Sequence, residues 1–155
     1  MTRPTWLLLV GFTAFLVYVT TLGNGFAYDD GVIIEESPLV TEPARMGEVF
    51  TTPYWGSKAG GGLYRPVATL SYALNHRVHG LKPFGYHLVN VLLHAAVSVL
   101  LTLLALQYLP LAAAGLAGLI FAVHPIHTEA VANVVGRAEL LSAVGFLVAS
   151  LAARR

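Results

Sequence analysis

Apolar runs and polar stretches alternate along this chain on a scale set by the lipid bilayer. Residues 5–22 (TWLLLVGFTAFLVYVTTL) carry no charge over 18 positions. At 1.5 Å per residue a helix of that length spans about 27 Å, close to one hydrocarbon core. A secretory signal shares the basic start and the apolar run. This run is longer than the usual signal core, lacks a clean A-x-A site and is followed by further apolar spans. The same pattern predicts spans over 86–109, 111–123 and 140–153, with Pro110 marking the turn between the second and third. The third is short, so part of the following segment is expected at membrane depth, enclosed by protein. The predicted class is an all-α polytopic membrane bundle of about four transmembrane helices.

Between the first two spans lies a long polar stretch, 23–85, that holds 11 of the 17 charged residues. Within it, 38–50 predicts a short helix, and 51–64 is a turn-rich connector containing Gly60, Gly61 and Gly62. Residues 65–80 predict a helix opened by Pro66 and stopped by Gly80. On it Arg65, Thr69, Tyr72, His76 and His79 share one face, while Val67, Leu70, Leu74 and Val78 line roughly the other. Such a helix fits the membrane interface. In the second span, His87, Asn90, His94 and Ser98 form a polar stripe that must face protein or a water-filled cavity, because lipid offers no hydrogen-bond partners. Interhelical hydrogen bonding and a proton relay are both open to it.

Four crossings place both termini on one side. Arg3, Arg154 and Arg155 assign that side to the cytoplasm. The 23–85 loop and the outer segment 124–139 then share the opposite face. The chain is predicted to be a multi-pass integral membrane protein, of a bacterial inner membrane or, in a eukaryote, of the endoplasmic reticulum.

Composition agrees: 56% of residues are hydrophobic and 11% charged, with a mean hydropathy of +0.69. Soluble domains carry about a quarter charged residues. A net charge of +1 gives no field for nucleic acid, and the lack of cysteine excludes disulfides and thiolate catalysis.

Three constellations could carry chemistry. Asp29 and Asp30 sit just beyond the first span, where adjacent carboxylates push their proton affinities apart and suit a general base. His124, His127 and Glu129 form an H-x-x-H-x-E cluster that fits phosphate, hydrogen bonding within the bundle or a divalent metal, but is not a zinc-protease motif. Glu129, Asn133 and Arg137 recur every four residues, so on one helix they would pair along a face, with Glu139 a further acceptor for Arg137. Arg65, beside a glycine-rich loop and at a helix start, is a candidate anion clamp.

The segments LGNGFAYDD (22–30), LYRPVATLSYALNHRVHG (63–80), YHLVNVLLHA (86–95) and FAVHPIHTEAVANVVGRAELLSA (121–143) occur in this order and spacing. Together they resemble the amino-terminal membrane region of the transmembrane-and-TPR O-mannosyltransferases and their bacterial relatives, polytopic glycosyltransferases of the GT-C class. The resemblance covers residues 20–143. It implies a GT-C-like transmembrane domain over 1–155, as the amino-terminal part of a longer protein. It also implies inverting transfer of a sugar, mannose above all, from a polyprenyl- or dolichyl-phosphate donor to a hydroxyl on a protein or glycan acceptor. One of Asp29 and Asp30 would be the base. The chemistry of the donor nominates Arg65, His124, His127, Glu129 and Arg137 as ligands of the lipid phosphate. The rival functions are a non-catalytic membrane module that packs helices or docks a partner, and a proton-coupled transporter. The latter lacks the inverted repeat such transporters show.

Overall fold

A computed structural model describes residues 1–56 and 62–153. Gly60, Gly61, Arg154 and Arg155 lie outside the described residues. Helix α1 (Arg3–Tyr18) runs on as a 3-10 turn, Val19–Gly23. The long loop then forms a π-helical turn (Gly31–Glu35), the one-turn α2 (Pro38–Thr41) and a 3-10 stretch (Pro43–Phe50), before α3 (Pro66–His79) and α4 (Pro83–Ala105). Next come α5 (Leu111–Val123), a 3-10 turn (Pro125–His127), α6 (Thr128–Ala132), a second 3-10 turn (Val134–Gly136) and α7 (Arg137–Ala152). No strand occurs among the described residues.

Proline sets several of these boundaries. Pro38, Pro66 and Pro83 occupy first helical positions, where their missing N–H costs nothing. A residue before proline is driven out of the helical region. Glu42, before Pro43, is extended at φ −105, ψ 104, which splits the single helix expected over 38–50 into two pieces. His124, before Pro125, is extended at φ −69, ψ 126, and ends α5.

Three helical segments are long and apolar enough to cross a bilayer: Arg3–Gly23, Pro83–Ala105 and Val134–Ala152. Leu111–Val123 and Pro125–Ala132 make a fourth if the pair, bent by 48°, is one broken span. Leu8, Phe12, Ile120 and Phe146 are all exposed, as lipid-facing side chains of a bundle must be. Helix α4 is the central member and packs against α1, α5 and α7. Its stripe of His87, Asn90, His94 and Ser98, continued by Thr102, is buried.

Helix α3 is amphipathic in the opposite sense from a water-soluble helix. Thr69, Tyr72 and Asn75 are buried, whereas Val67 and Val78 are 62% and 76% exposed. The polar face turns inward and the apolar face outward, as suits an interfacial helix beside lipid. The loop closes over this inner face: Ile33, Ile34, Val40 and Tyr54 join Ala68, Tyr72, Tyr86, Val134 and Ala138 in one core cluster.

Close approach of α5 to α4 and α1 depends on Gly118. A Cβ there would collide with the Thr102 hydroxyl and lie 3.2 Å from Val10 Cγ2. At Gly145, on α7, a Cβ meets nothing within 4 Å. Gly118→Ala should therefore cost about 1–3 kcal/mol through overpacking. Gly145→Ala should be neutral or slightly stabilising. Thermal unfolding midpoints of the two variants in the same detergent measure the contrast.

Candidate functional site

The acidic pair lies in a tight turn whose two carboxylates face different surroundings. Tyr28, at φ +49, is in the left-handed region, an uncommon conformation for an aromatic residue. It turns the chain back on itself. The Asp30 N–H donates to the Ala27 carbonyl at 3.0 Å, and the Ala27 N–H donates to Asp30 Oδ2 at 3.0 Å, so residues 27–30 are closed from both sides. Asp30 Oδ1 accepts the Val135 N–H at 3.0 Å. Asp30 is 1% exposed, while Asp29, in the middle of the turn, is exposed. Burial pushes the Asp30 carboxyl above its ordinary value, against the lowering effect of the Ala27 and Val135 N–H groups and of His87.

Val135 belongs to the Val134–Gly136 turn, which is held from several directions. The Tyr72 hydroxyl donates to the Val135 carbonyl at 3.2 Å. Burial raises the Tyr72 phenol, so it stays a neutral donor. Asn90 Nδ2 donates to the carbonyls of Asn133 (3.0 Å), Val134 (3.2 Å) and Val131 (3.4 Å). A Cβ at Gly136 would stand 2.6 Å from the Ala130 carbonyl oxygen, so only glycine fits the return of the chain.

Arg137 follows this turn and is wholly buried. Its Nε donates to Asn90 Oδ1 (2.8 Å), Nη1 to the Ser71 carbonyl and hydroxyl (both 3.3 Å), and Nη2 to Asn75 Oδ1 (3.0 Å) and the Tyr86 carbonyl (2.9 Å). Tyr72 and Tyr86 present their ring faces to the guanidinium, centroids 4.9 and 5.7 Å from Cζ. The guanidinium thus contacts only neutral groups, drawn from α3 and α4.

This overturns the regular spacing read from sequence. Asn133, extended at φ −87, ψ 126, ends α6, so Glu129, Asn133 and Arg137 do not lie on one helix. Glu129 is exposed while Arg137 is buried, and no ion pair joins Arg137 to Glu129 or Glu139.

The two histidines of H-x-x-H-x-E gather elsewhere. His127 packs on Phe121 (4.1 Å between centroids) and on His94 (5.3 Å), and His94 meets Tyr18 edge-on at 5.0 Å. His94 Nε2 hydrogen-bonds the Ala122 carbonyl at 3.1 Å. The exposed His124 accepts the Ile126 N–H on Nδ1 at 3.2 Å, capping the turn after α5. No group of three histidine, cysteine or acidic side chains suited to a metal ion occurs among the described residues. At the outer end of the α4 stripe, His87 Nε2 meets the Gly25 carbonyl of the first loop at 3.3 Å.

Arg65 occupies a third place, over the Tyr54 ring at 5.4 Å. It lines a cleft of about 560 Å³ between the amino ends of α3 and α7, with Tyr64, Pro66, Glu139, Leu141 and Ser142 among the walls. The residues nominated for the phosphate therefore fall into separate environments: the cleft, the buried Arg137 cage and the histidine cluster. Asn75, Ser71, Tyr86 and Gly136 were missed from sequence. The isolated Asn75 on the polar face of α3 was the available signal.

Comparison with known proteins gives the chain its relatives. It is 44% identical over 147 residues to Protein O-mannosyl-transferase Tmtc1 of Drosophila melanogaster, covering 92% of this chain and 17% of the relative. It is 42% identical over 144 residues to Protein O-mannosyl-transferase TMTC2 of Homo sapiens (87% and 17%), and 36% identical over 168 residues to Protein O-mannosyl-transferase TMTC4 of Mus musculus (96% and 23%). The chain spans about a sixth of the length of the first two relatives. No family model and no solved structure matches it.

The raised Asp30 carboxyl fixes the sign of a pH effect. A carboxyl raised in the folded state contributes stability that is fully present below its unfolded value, near 3.8, and is lost as pH rises through the folded value. Asp30→Asn does not titrate there. The difference in thermal midpoint, native minus variant, should shrink as pH rises from about 4 to 7. A difference that widens toward neutral pH would contradict dominance by burial.

Proposed function

With the TMTC protein O-mannosyl-transferases as its homologues, we propose that this chain supplies the acidic site of a membrane-embedded O-mannosyltransferase, and that Asp29 is its general base. The observation that carries this is the division of the pair. Asp30 is buried with each carboxylate oxygen on a backbone N–H, whereas Asp29 is exposed at the centre of the turn that Asp30 closes. A base must reach the hydroxyl it deprotonates, and only Asp29 is accessible.

In this reading a polyprenyl-phosphate sugar lies in the bilayer beside the first loop. Asp29 takes the proton of an acceptor hydroxyl on a protein or glycan as its oxygen attacks the anomeric carbon. The C–O bond to phosphate breaks and the lipid phosphate departs with the bonding pair, inverting the centre. Of the residues nominated for the phosphate, Arg65 fits best, being partly exposed in an open cleft. His124 and His127 offer a second polar surface, in the same segment as Glu129. Arg137 has its donors committed inside the protein and serves as framework. The spans are proposed as the Arg3–Gly23, Pro83–Ala105 and Val134–Ala152 segments plus the broken Leu111–Ala132 pair, in a multi-pass protein of the inner or endoplasmic-reticulum membrane.

A non-catalytic role finds support in one observation: the hydrogen bonds of Arg137, Asn90, His87 and His94 all run to groups within the protein. Transfer of labelled mannose from mannosyl-phosphate-polyprenol to a serine- or threonine-containing peptide, by the intact protein in membranes, decides between the two. Asp29→Asn should lower kcat by about 10²- to 10⁴-fold at unchanged protein level. Unchanged transfer by Asp29→Asn rules out Asp29 as the base.

A further inference from the structure

Asn90 joins the one buried guanidinium among the described residues to the turn that grips Asp30. Its two polar atoms are spent in opposite directions. Oδ1 accepts from Arg137 Nε at 2.8 Å, which fixes the orientation of the amide. Nδ2, thereby aimed away, meets the carbonyls of Val131, Asn133 and Val134. The Val131 carbonyl belongs to the end of α6 and the other two to the return of the chain between α6 and α7, and the next N–H along, that of Val135, is the donor to Asp30 Oδ1.

The residue is 0% exposed and sits on the central helix α4, so it cannot touch a substrate held outside the protein. Its route to the acidic pair is wholly through the backbone. Two hydrogens shared among three carbonyls make a directional hold, and a shift of the 134–136 turn moves the Val135 N–H relative to Asp30. Asp30 is in turn the residue that closes the turn bearing Asp29. A base must sit within hydrogen-bond reach of its proton, and a displacement of about 1 Å costs on the order of 10²-fold in rate.

We propose that Asn90 is a positioning residue for transfer: oriented by Arg137, it sets the Val134–Gly136 turn so that Val135 holds Asp30, and Asp29 with it, in reacting position. This rests on the reading of Asp29 as base. The contribution is to geometry in the reacting complex, so it appears in kcat and not in the affinity for the lipid donor.

Asn90→Asp is the informative variant. It keeps the volume and the acceptor for Arg137 but removes donation to the three carbonyls. In the intact protein in membranes, with mannosyl-phosphate-polyprenol as donor, kcat should fall about 10- to 100-fold while KM for the donor stays within about twofold. Gly118→Ala, chosen for its remote effect on α5 packing, supplies a destabilised control that should keep kcat. Loss of activity in Asn90→Asp only in proportion to folded protein, or matched by Gly118→Ala, overturns the proposal, as does an unchanged kcat. If Asn90→Asp does not accumulate, Gly136→Ala presses on the same turn from the Ala130 side and must show the same kcat loss at unchanged KM. A full-activity Asp29→Asn variant would instead remove the underlying reading, whatever Asn90 does.

Discussion

A guanidinium carried into the protein interior governs the arrangement of everything around the acidic turn. A buried cation is tolerated only when its donors are satisfied, since leaving one partner unpaired costs about 3–5 kcal/mol. Arg137 meets that demand with acceptors from α3 (Ser71, Asn75) and α4 (Tyr86, Asn90), and with two tyrosine faces. Three helices are thereby fixed relative to one another by one side chain. The acceptors are neutral, so the arrangement depends on geometry more than on charge pairing. The ion pair Arg45–Glu48, by contrast, joins two exposed residues three apart in sequence and fixes nothing distant.

The lipid environment explains why polar chemistry faces inward here. In water the hydrophobic effect would hide Val67, Val78 and Phe146 and leave Asn75 and Asn90 outside. Beside hydrocarbon there is no such drive, and the polar groups seek one another instead. Helix α3 shows the inversion most plainly, presenting valines outward and Thr69, Tyr72 and Asn75 to the core. Ser98 and Thr102 return their hydroxyls to their own helix, on the His94 and Ser98 carbonyls at 2.9 and 2.8 Å.

Much of this was legible in the chain. The apolar run before Asn24 and the leucine-rich run of α4 declare helices by length and hydropathy alone, and the polar stripe on α4 declares an inward face by its spacing. Topology suggested that the loop bearing Asp29 and Asp30 shares a face with the 124–139 segment, and the Asp30–Val135 bond joins the two segments. Illegible was the division of labour within the acidic pair, because identical neighbours in sequence differ only through the tertiary partners they meet. Arg137 misled for a related reason. Spacing by four implies a continuous helix, and the extended Asn133 breaks it. Periodicity cannot register a single residue outside the helical region.

The left-handed Tyr28 has a bearing on how the site comes into being. A non-glycine residue in that region is disfavoured by roughly 1–2 kcal/mol, a cost that the two bonds between Ala27 and Asp30 offset locally. The contact that ties the turn to the rest of the bundle spans 105 positions of chain. At about 5–20 residues per second of synthesis, the acidic pair waits on the order of ten seconds for Val135 to be made. During that interval the acidic turn lacks its anchor to the later helices. The final placement of Asp30 is therefore reached only once the 134–136 turn is made and packed, which ties it to completion of the bundle.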